Sequence, residues 1–272
     1  MPTNPLIYYD AHCHLQDPRL DAWRSVKRDS PKKGRIAKRV VNGTRPEDWG
    51  KVCELGREWD DVIPSVGLHP WNVNTVDKSW KGVFESHVDS GECAVGEIGL
   101  DRWVEGYDIE AQKDAFRFQL RLAKECGLPV SIHCLRAWGM LREVMESEGP
   151  YDPGFLLHSY GGPKEMVAPF VDLGARFSFS GYFAHENKAK KREAFMAVPM
   201  DRLLIETDAP DMLGPKSVQY ESLKDGSGEA INSPLNLIPI YDYVAEMRGM
   251  DLEELVPIVG KNFRQLFGKW AS

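Results

Sequence analysis

The sequence predicts an α/β fold, a (β/α)8 barrel of the TIM type formed as a single domain over residues 1–272. Three observations lead there. Eight short apolar runs rich in β-forming residues recur along the chain, each followed by a helix pattern or a helical candidate. The runs suit burial on both faces, as strands covered by an outer ring of helices require. No repeat of about 20–50 residues, no linker and no low-complexity tract divides the chain, so one barrel is expected with a core from about residue 6 to 268.

The first run, Ile7-Tyr8-Tyr9-Asp10-Ala11-His12-Cys13-His14, reads as a buried strand ending in His-x-His. Side chains alternate along a strand, so His12 and His14 share one face and Cys13 takes the other. After a long basic segment, Arg39-Val40-Val41-Asn42-Gly43 is the second strand, closed by a turn. A helix over Pro46–Trp59 starts near Thr44 as a cap. Asp61–Pro70 is the third strand, with Pro64 near its beginning, and Lys78–Val88 is an amphipathic helix. Cys93–Asp101 is the fourth strand, and the strongest helical pattern, Glu110–Cys126, follows it and stops at Gly127.

Leu128–His133 is strand five, with the helix Trp138–Glu148 behind it. Gly154–His158 is strand six, and its helix, Pro163–Leu173, opens on proline and closes at Gly174. Ala175–Ser180 is strand seven with Glu186–Ala197 as its helix, and Asp201–Asp208 is strand eight. A loop over Asp211–Pro234 leads to helical Leu235–Met247 and two closing helical segments within Asp251–Trp270.

With 42% hydrophobic and 28% charged residues, the chain has the make-up of an ordinary soluble globular protein. Met1-Pro2-Thr3-Asn4-Pro5 offers neither a basic nor an apolar signal region, and no apolar stretch reaches membrane-spanning length. A cytoplasmic monomer without a membrane partner is expected. The five cysteines (Cys13, Cys53, Cys93, Cys126 and Cys134) form no Cys-x-x-Cys pair, which predicts free, mostly buried thiols. Cys13 and Cys134 adjoin histidines, but alternation turns each away from its neighbour, which favours burial over catalysis.

The net charge of −7 taken alone argues against a nucleic-acid binder, yet its distribution is uneven. Between residues 16 and 40 nine Lys or Arg (Arg19, Arg24, Lys27, Arg28, Lys32, Lys33, Arg35, Lys38, Arg39) face three Asp, so this segment carries +6 and the remainder −13. A second run is Lys188, Lys190, Lys191 and Arg192. Such runs are usually solvated faces, and they serve function only where the fold sets them beside the chemistry.

The titratable residues are not scattered. His12 and His14 end strand one, Glu97 lies in the last half of strand four, His133 ends strand five, His158 ends strand six and Asp208 ends strand eight. In this fold the C-terminal strand ends converge on one mouth. A single His-x-His serves equally as hydrogen-bonded structure or as a metal grip. Six such residues on one face are a strange way to fill a core, because buried charges and imidazoles are costly unless paired or metal-bound.

The motifs Asp10-Ala11-His12-Cys13-His14, Gly67-Leu68-His69-Pro70, Gly96-Glu97-Ile98-Gly99-Leu100-Asp101 and Ile132-His133 stand in order along the chain. Leu157-His158-Ser159-Tyr160-Gly161-Gly162, Phe177-Ser178-Phe179-Ser180-Gly181, Glu206-Thr207-Asp208-Ala209-Pro210 and Asn262-Phe263 to Leu266-Phe267 complete the set. Together they resemble the TatD-like deoxyribonucleases of the metal-dependent amidohydrolase superfamily, over nearly the whole chain. The resemblance implies a TIM-like barrel with one or two divalent metal ions. His12, His14, Glu97 and Asp208 would surround one, and Glu97, His133 and His158 the other, with Glu97 bridging where a phosphotriesterase-like relative would use a modified lysine. It also implies a catalytic role for Asp208, which would orient or deprotonate the attacking water, beside Glu97. Mixed His and carboxylate ligation suits zinc or manganese, with magnesium as the alternative in the cell.

Two departures from the family pattern concern substrate contacts. Ile231 precedes Asn232-Ser233-Pro234 where members often carry Arg, and the usual His-x-Arg is here His133-Cys134-Leu135-Arg136. The expected function is a metal-dependent 3′–5′ exonuclease on DNA ends or short oligonucleotides, with His69, Arg102 and Arg136 as phosphate-binding candidates. The alternative is hydrolysis of an amide, lactone or D-aminoacyl ester on the same centre. A non-enzymatic scaffold does not explain the complete ligand set, and neither Gly-x-Gly-x-x-Gly nor a Walker lysine occurs.

Overall fold

The apolar runs form eight strands, and the computed structural model, which describes residues 5–27 and 35–270, orders them in the sheet as they occur in the chain. They are β1 (Tyr8–Cys13), β2 (Ile36–Asn42), β3 (Val62–Val66), β4 (Ala94–Asp101), β5 (Val130–Leu135), β6 (Phe155–Leu157), β7 (Ala175–Ser180) and β8 (Leu203–Glu206). Every neighbouring pair from β1 to β8 is parallel. The helices are α1 (Asp21–Lys27), α2 (Pro46–Glu58), α3 (Trp80–Asp89), α4 (Ile109–Glu125), α5 (Trp138–Glu148), α6 (Val167–Asp172), α7 (Ala189–Phe195), α8 (Leu237–Arg248) and α9 (Leu252–Phe267). This is the predicted single-domain TIM-like barrel. None of its helices is long and apolar enough to cross a membrane, among the described residues.

A side-chain clasp and two backbone bonds past the end of β8 hold the seam between β8 and β1. The Asp10 carboxylate accepts from the Thr207 backbone N–H (2.9 Å) and hydroxyl (2.6 Å). Burial pushes the Asp10 carboxyl up to about 7. Beyond it, Asp208 N–H donates to His12 O at 2.9 Å and His14 N–H to Ala209 O at 2.8 Å. Barrel closure therefore brings His12, His14 and Asp208 together.

The differences from the sequence reading have local causes. β2 begins at Ile36, inside the basic segment, because its two cationic residues find partners: Lys38 donates to Asp60 O at 3.0 Å and the buried Arg39 pairs with Asp61 at 3.0 Å. Helix α1 also forms within that segment. The helices expected after strands six and seven each open as a 3-10 turn, Lys164–Met166 and Glu186–Lys188. The loop before α8 holds a small hairpin, β9 (Leu223–Lys224) against β10 (Ala230–Ile231). The two closing segments are one helix, α9, which runs through Pro257. Pro257 stands on the exposed side of α9, where water can replace the N–H partner lost by the carbonyl one turn earlier.

Candidate metal centre

Most site residues stand in the C-terminal half of a strand or just beyond it, and Glu97 lies at the middle of β4. His12 is in β1 and His14 follows it, Glu97 is in β4, His133 in β5, His158 follows β6 and Asp208 lies two residues past β8. β4 must approach β5 closely to place Glu97. A Cβ on Gly99 would lie 1.9 Å from His133 O, and one on Gly96 would lie 2.7 Å from Ser131 Cβ. Both glycines also adopt positive φ, so the Gly-Glu-Ile-Gly spacing is a backbone requirement of the site.

Glu97 is buried at the centre and its two oxygens face different groups. Oε2 lies 3.3 Å from His12 Nε2 and 3.4 Å from His14 Nε2. Oε1 lies 2.9 Å from His133 Nδ1, 2.7 Å from His158 Nε2 and 3.5 Å from His69 Nε2. Asp208 Oδ1 joins the first group, 3.3 Å from His14 Nε2 and 3.7 Å from His12 Nε2. The paired imidazole nitrogens, His12 Nε2 with His14 Nε2 and His133 Nδ1 with His158 Nε2, are each 3.3 Å apart.

Partners on the far side of the rings set which nitrogen faces inward. His14 Nδ1 donates to Asn42 O at 2.7 Å, and His133 Nε2 donates to Asp101 Oδ2 at 2.8 Å. His158 Nδ1 faces Glu206 Oε1 at 3.5 Å, and the Glu206 carboxylate accepts from the hydroxyls of Ser159 and Ser178. Burial lowers His12, with the neighbouring His158 adding to it. Burial also works against charge on His14, but hydrogen bonding to Asp208 and Glu97 outweighs it and holds this imidazole well above its usual range. Glu97 is held well below the carboxylate range, against its burial, foremost by His158.

These contacts fit the edges of a metal coordination shell. Donors about 2.0–2.2 Å from one cation stand about 3.0–3.5 Å apart, and four nitrogens here aim at the two oxygens of one carboxylate. Among the described residues three sets of donor atoms lie within 4.8 Å of one another: His12, His14 and Glu97; His12, His158 and Glu206; His69, Glu97 and His133. The first and third sets have Glu97 in common.

Of the substrate candidates, only His69 is in the cluster. It is buried, its Nδ1 accepts from Trp71 N–H at 3.2 Å, and burial lowers it to about 4. A neutral ring accepting at Nδ1 carries its proton on Nε2, which therefore points a donor at Glu97. Arg102 and Arg136 stand exposed in the loops after β4 and β5, Arg136 with φ 57°. Ile231 is buried in the core, while Asn232 donates its amide to Thr207 O at 2.8 Å and braces the loop that carries Asp208.

Much of the first basic run turns away from the mouth or is already paired. β2 starts beside the beginning of β1, so Arg35, Lys38 and Arg39 lie toward the opposite end of the barrel. Arg19 is held by Asp17 and Asp211, and Arg24 by Leu15 O, Asp17 O and Asp21. Arg28, Lys32 and Lys33, and the side chain of Lys27, lie outside the described residues. The second run is at the start of α7 on the mouth side, where Lys191 reaches Gly161 O and Arg192 reaches Phe183 O and His185 O.

All five cysteines are free. The Cys13 thiol turns to Val40 O at 3.5 Å, away from the histidines, and burial pushes Cys13 and Cys134 up, so neither offers a thiolate. Sequence reasoning missed the parts of Glu206 and Asp101. A charged residue closing the apolar run Leu203-Leu204-Ile205 was the available signal for Glu206; for Asp101 there was none beyond its place at a strand end.

Similarity to known proteins extends over most of the chain. The sequence model of the family described as TatD related DNase matches residues 9–268. The chain is 30% identical over 268 residues to the metal-dependent hydrolase YcfH of Escherichia coli K12, covering 96% of each. It is 29% identical over 235 residues to the 3′-5′ ssDNA/RNA exonuclease TatD of Shigella flexneri, covering 84% of this chain and 86% of that one. The crystal structure of YjjV, a TatD homologue of Escherichia coli, superposes with a TM-score of 0.85 at 25% identity, covering 96% of this chain and 98% of the other. The chain belongs to the TatD-related DNase family of metal-dependent hydrolases.

Proposed function

We propose that the protein is a divalent-metal-dependent phosphodiesterase that removes nucleotides from the 3′ end of DNA or short oligonucleotides. The observation that carries this reading is Glu97, whose Oε2 meets His12 and His14 while its Oε1 meets His133 and His158. A carboxylate divided in this way suits a bridge between two cations, with His12, His14 and Asp208 on one side and His133 and His158 on the other. Zinc or manganese suits this donor set, with magnesium as the cellular alternative and one or two ions per chain. Such ions supply Lewis-acid polarisation of a phosphoryl oxygen and acidify bound water. Asp208, at the rim of the first group, takes the proton of the attacking water. Asp101 fixes the ring of His133 by a hydrogen bond, and the Glu206 carboxylate stands 3.5 Å behind that of His158. Arg102 and Arg136, on the loops beside Glu97 and His133, receive the flanking phosphates.

The free thiols support a reducing, cytoplasmic setting, and one chain carries the whole donor set, so a monomer suffices. The test is hydrolysis of a labelled single-stranded oligonucleotide, metal by metal, beside a panel of amides, lactones and D-aminoacyl esters. Turnover of an amide or ester with none of any phosphodiester would overturn the reading. Cys13→Ser is expected to leave metal content nearly unchanged by elemental analysis, because the thiol faces Val40 and not the cluster. A clear loss of metal there would mean that residue 13 faces the ions.

Lys188 and Lys190, at the start of α7, are expected to meet substrate phosphate. Replacing both with Gln should raise KM on single-stranded DNA and reduce the slope of log affinity against log salt by about 0.7 for each phosphate no longer neutralised. Identical salt slopes in variant and parent would show that this run is only a solvated face.

A further inference from the structure

Nine large hydrophobic side chains are exposed among the described residues, and four of them, Trp71, Trp103, Tyr107 and Leu135, stand at or beyond the C-terminal ends of β3, β4 and β5. Exposed apolar residues scattered singly need no explanation; a group on one side of the mouth does. Trp71 is 49% exposed and Trp103 54% exposed, and their ring centroids lie 6.3 Å apart at an inclination of 33°. Two half-exposed indole rings thus lie side by side at the mouth.

One buried carboxylate ties this pair to the cluster. Asp101 Oδ2 accepts from Trp71 Nε1 at 2.9 Å and from His133 Nε2 at 2.8 Å, and Asp101 Oδ1 accepts from Trp103 N–H. The Trp71 ring lies 6.3 Å from the His133 ring and 4.9 Å from that of His69. Arg102 stands in the chain between Asp101 and Trp103, with its Nε on Tyr107 OH at 3.2 Å and its guanidinium 5.7 Å from the centre of that ring. Aromatic faces interleaved with cations along a rim are what a single strand needs, since bases stack on the rings while the backbone follows the charge. The aromatic faces are also preorganised by the same group that orients His133, which lowers the cost of ordering them on binding.

We propose that Trp71 and Trp103 form a base-stacking subsite that receives an unpaired nucleobase of the substrate strand, next to the phosphate held at the Glu97 cluster. The proposal rests on the phosphodiesterase reading above. A base inside a duplex has both faces covered by its neighbours, so the subsite admits frayed or single-stranded ends. It is tolerant of sequence, because every base offers a π face.

The test uses the full-length protein and a short phosphorothioate oligothymidylate, which resists cleavage, beside the same strand made abasic at successive 3′-terminal positions. Affinity is read from quenching of intrinsic tryptophan fluorescence, and cleavage of the phosphodiester versions is measured separately. The parent should bind the base-bearing strand about tenfold more tightly than the strand abasic at the stacked position. Trp103→Ala, at a half-exposed position, should erase that preference with thermal stability retained, and Trp103→Phe should restore most of it. Equal affinities for both strands in the parent, or a preference that persists in Trp103→Ala, would overturn the subsite. Base-dependent binding with no cleavage under any divalent metal would instead remove the phosphodiesterase reading and leave the subsite standing. Cleavage without base dependence would do the reverse.

Discussion

Asp208→Asn is expected to lower kcat by about two to four orders of magnitude, the range for loss of a general base, with metal content only modestly reduced. The residue stands past the end of β8 with its N–H held by His12 O at 2.9 Å and its Oδ1 3.3 Å from His14 Nε2. Its φ is 55°, a left-handed conformation that asparagine tolerates as well as aspartate does, so the exchange adds no backbone strain. The amide keeps an oxygen in the same place but loses the negative charge and, with it, the ability to take a proton at neutral pH. Single-turnover kinetics on an oligonucleotide, paired with elemental analysis of the same sample, separate the two roles. Near-parental kcat with metal retained would place the proton acceptor elsewhere in the cluster.

The barrel and the Glu97 cluster were legible for one physical reason. Strands buried on both faces leave a plain apolar signal, and a His or carboxylate at the end of such a run is conspicuous because burying it is costly. His12, His133 and His158 could be read in this way. The direction of the basic charge could not. Arg35, Lys38 and Arg39 look like part of one solvated run, but β2 starts among them and directs them to the far end of the barrel, where Arg39 is buried against Asp61. Strand pairing decides this, and it is non-local. The same holds for Asp101, whose partners Trp71 and His133 come from a loop and a strand 30 and 32 residues away. The single helix α9 runs through Pro257, since a helix-breaking residue is tolerated where the carbonyl it leaves unpaired can reach water.

Glu97→Ala is expected to remove most of the bound metal, from both positions at once. Each Glu97 oxygen faces two of the inward nitrogens, so its loss strips one donor from each side of the centre. It also removes the main influence holding protons in the cluster. Burial works against a charged His158, yet Glu97, and after it Glu206, holds that imidazole well above its usual range; Asp101, and after it Glu97, raises His133. Raised in this way, both rings hold their protons to higher pH than a free imidazole does, and a cation must displace them to reach the nitrogens. Metal affinity should rise with pH through this range, and uptake should acidify a weakly buffered solution. Glu97→Ala should release fewer protons per metal ion as well as bind fewer ions. Glu97→Gln, which keeps the volume and one oxygen, should fall between the two. The measurements are equilibrium dialysis followed by elemental analysis, and proton release in two buffers of different ionisation enthalpy. Full metal content in Glu97→Ala, in a protein that still folds, would sink the bridging role and leave the cations to independent histidine sites.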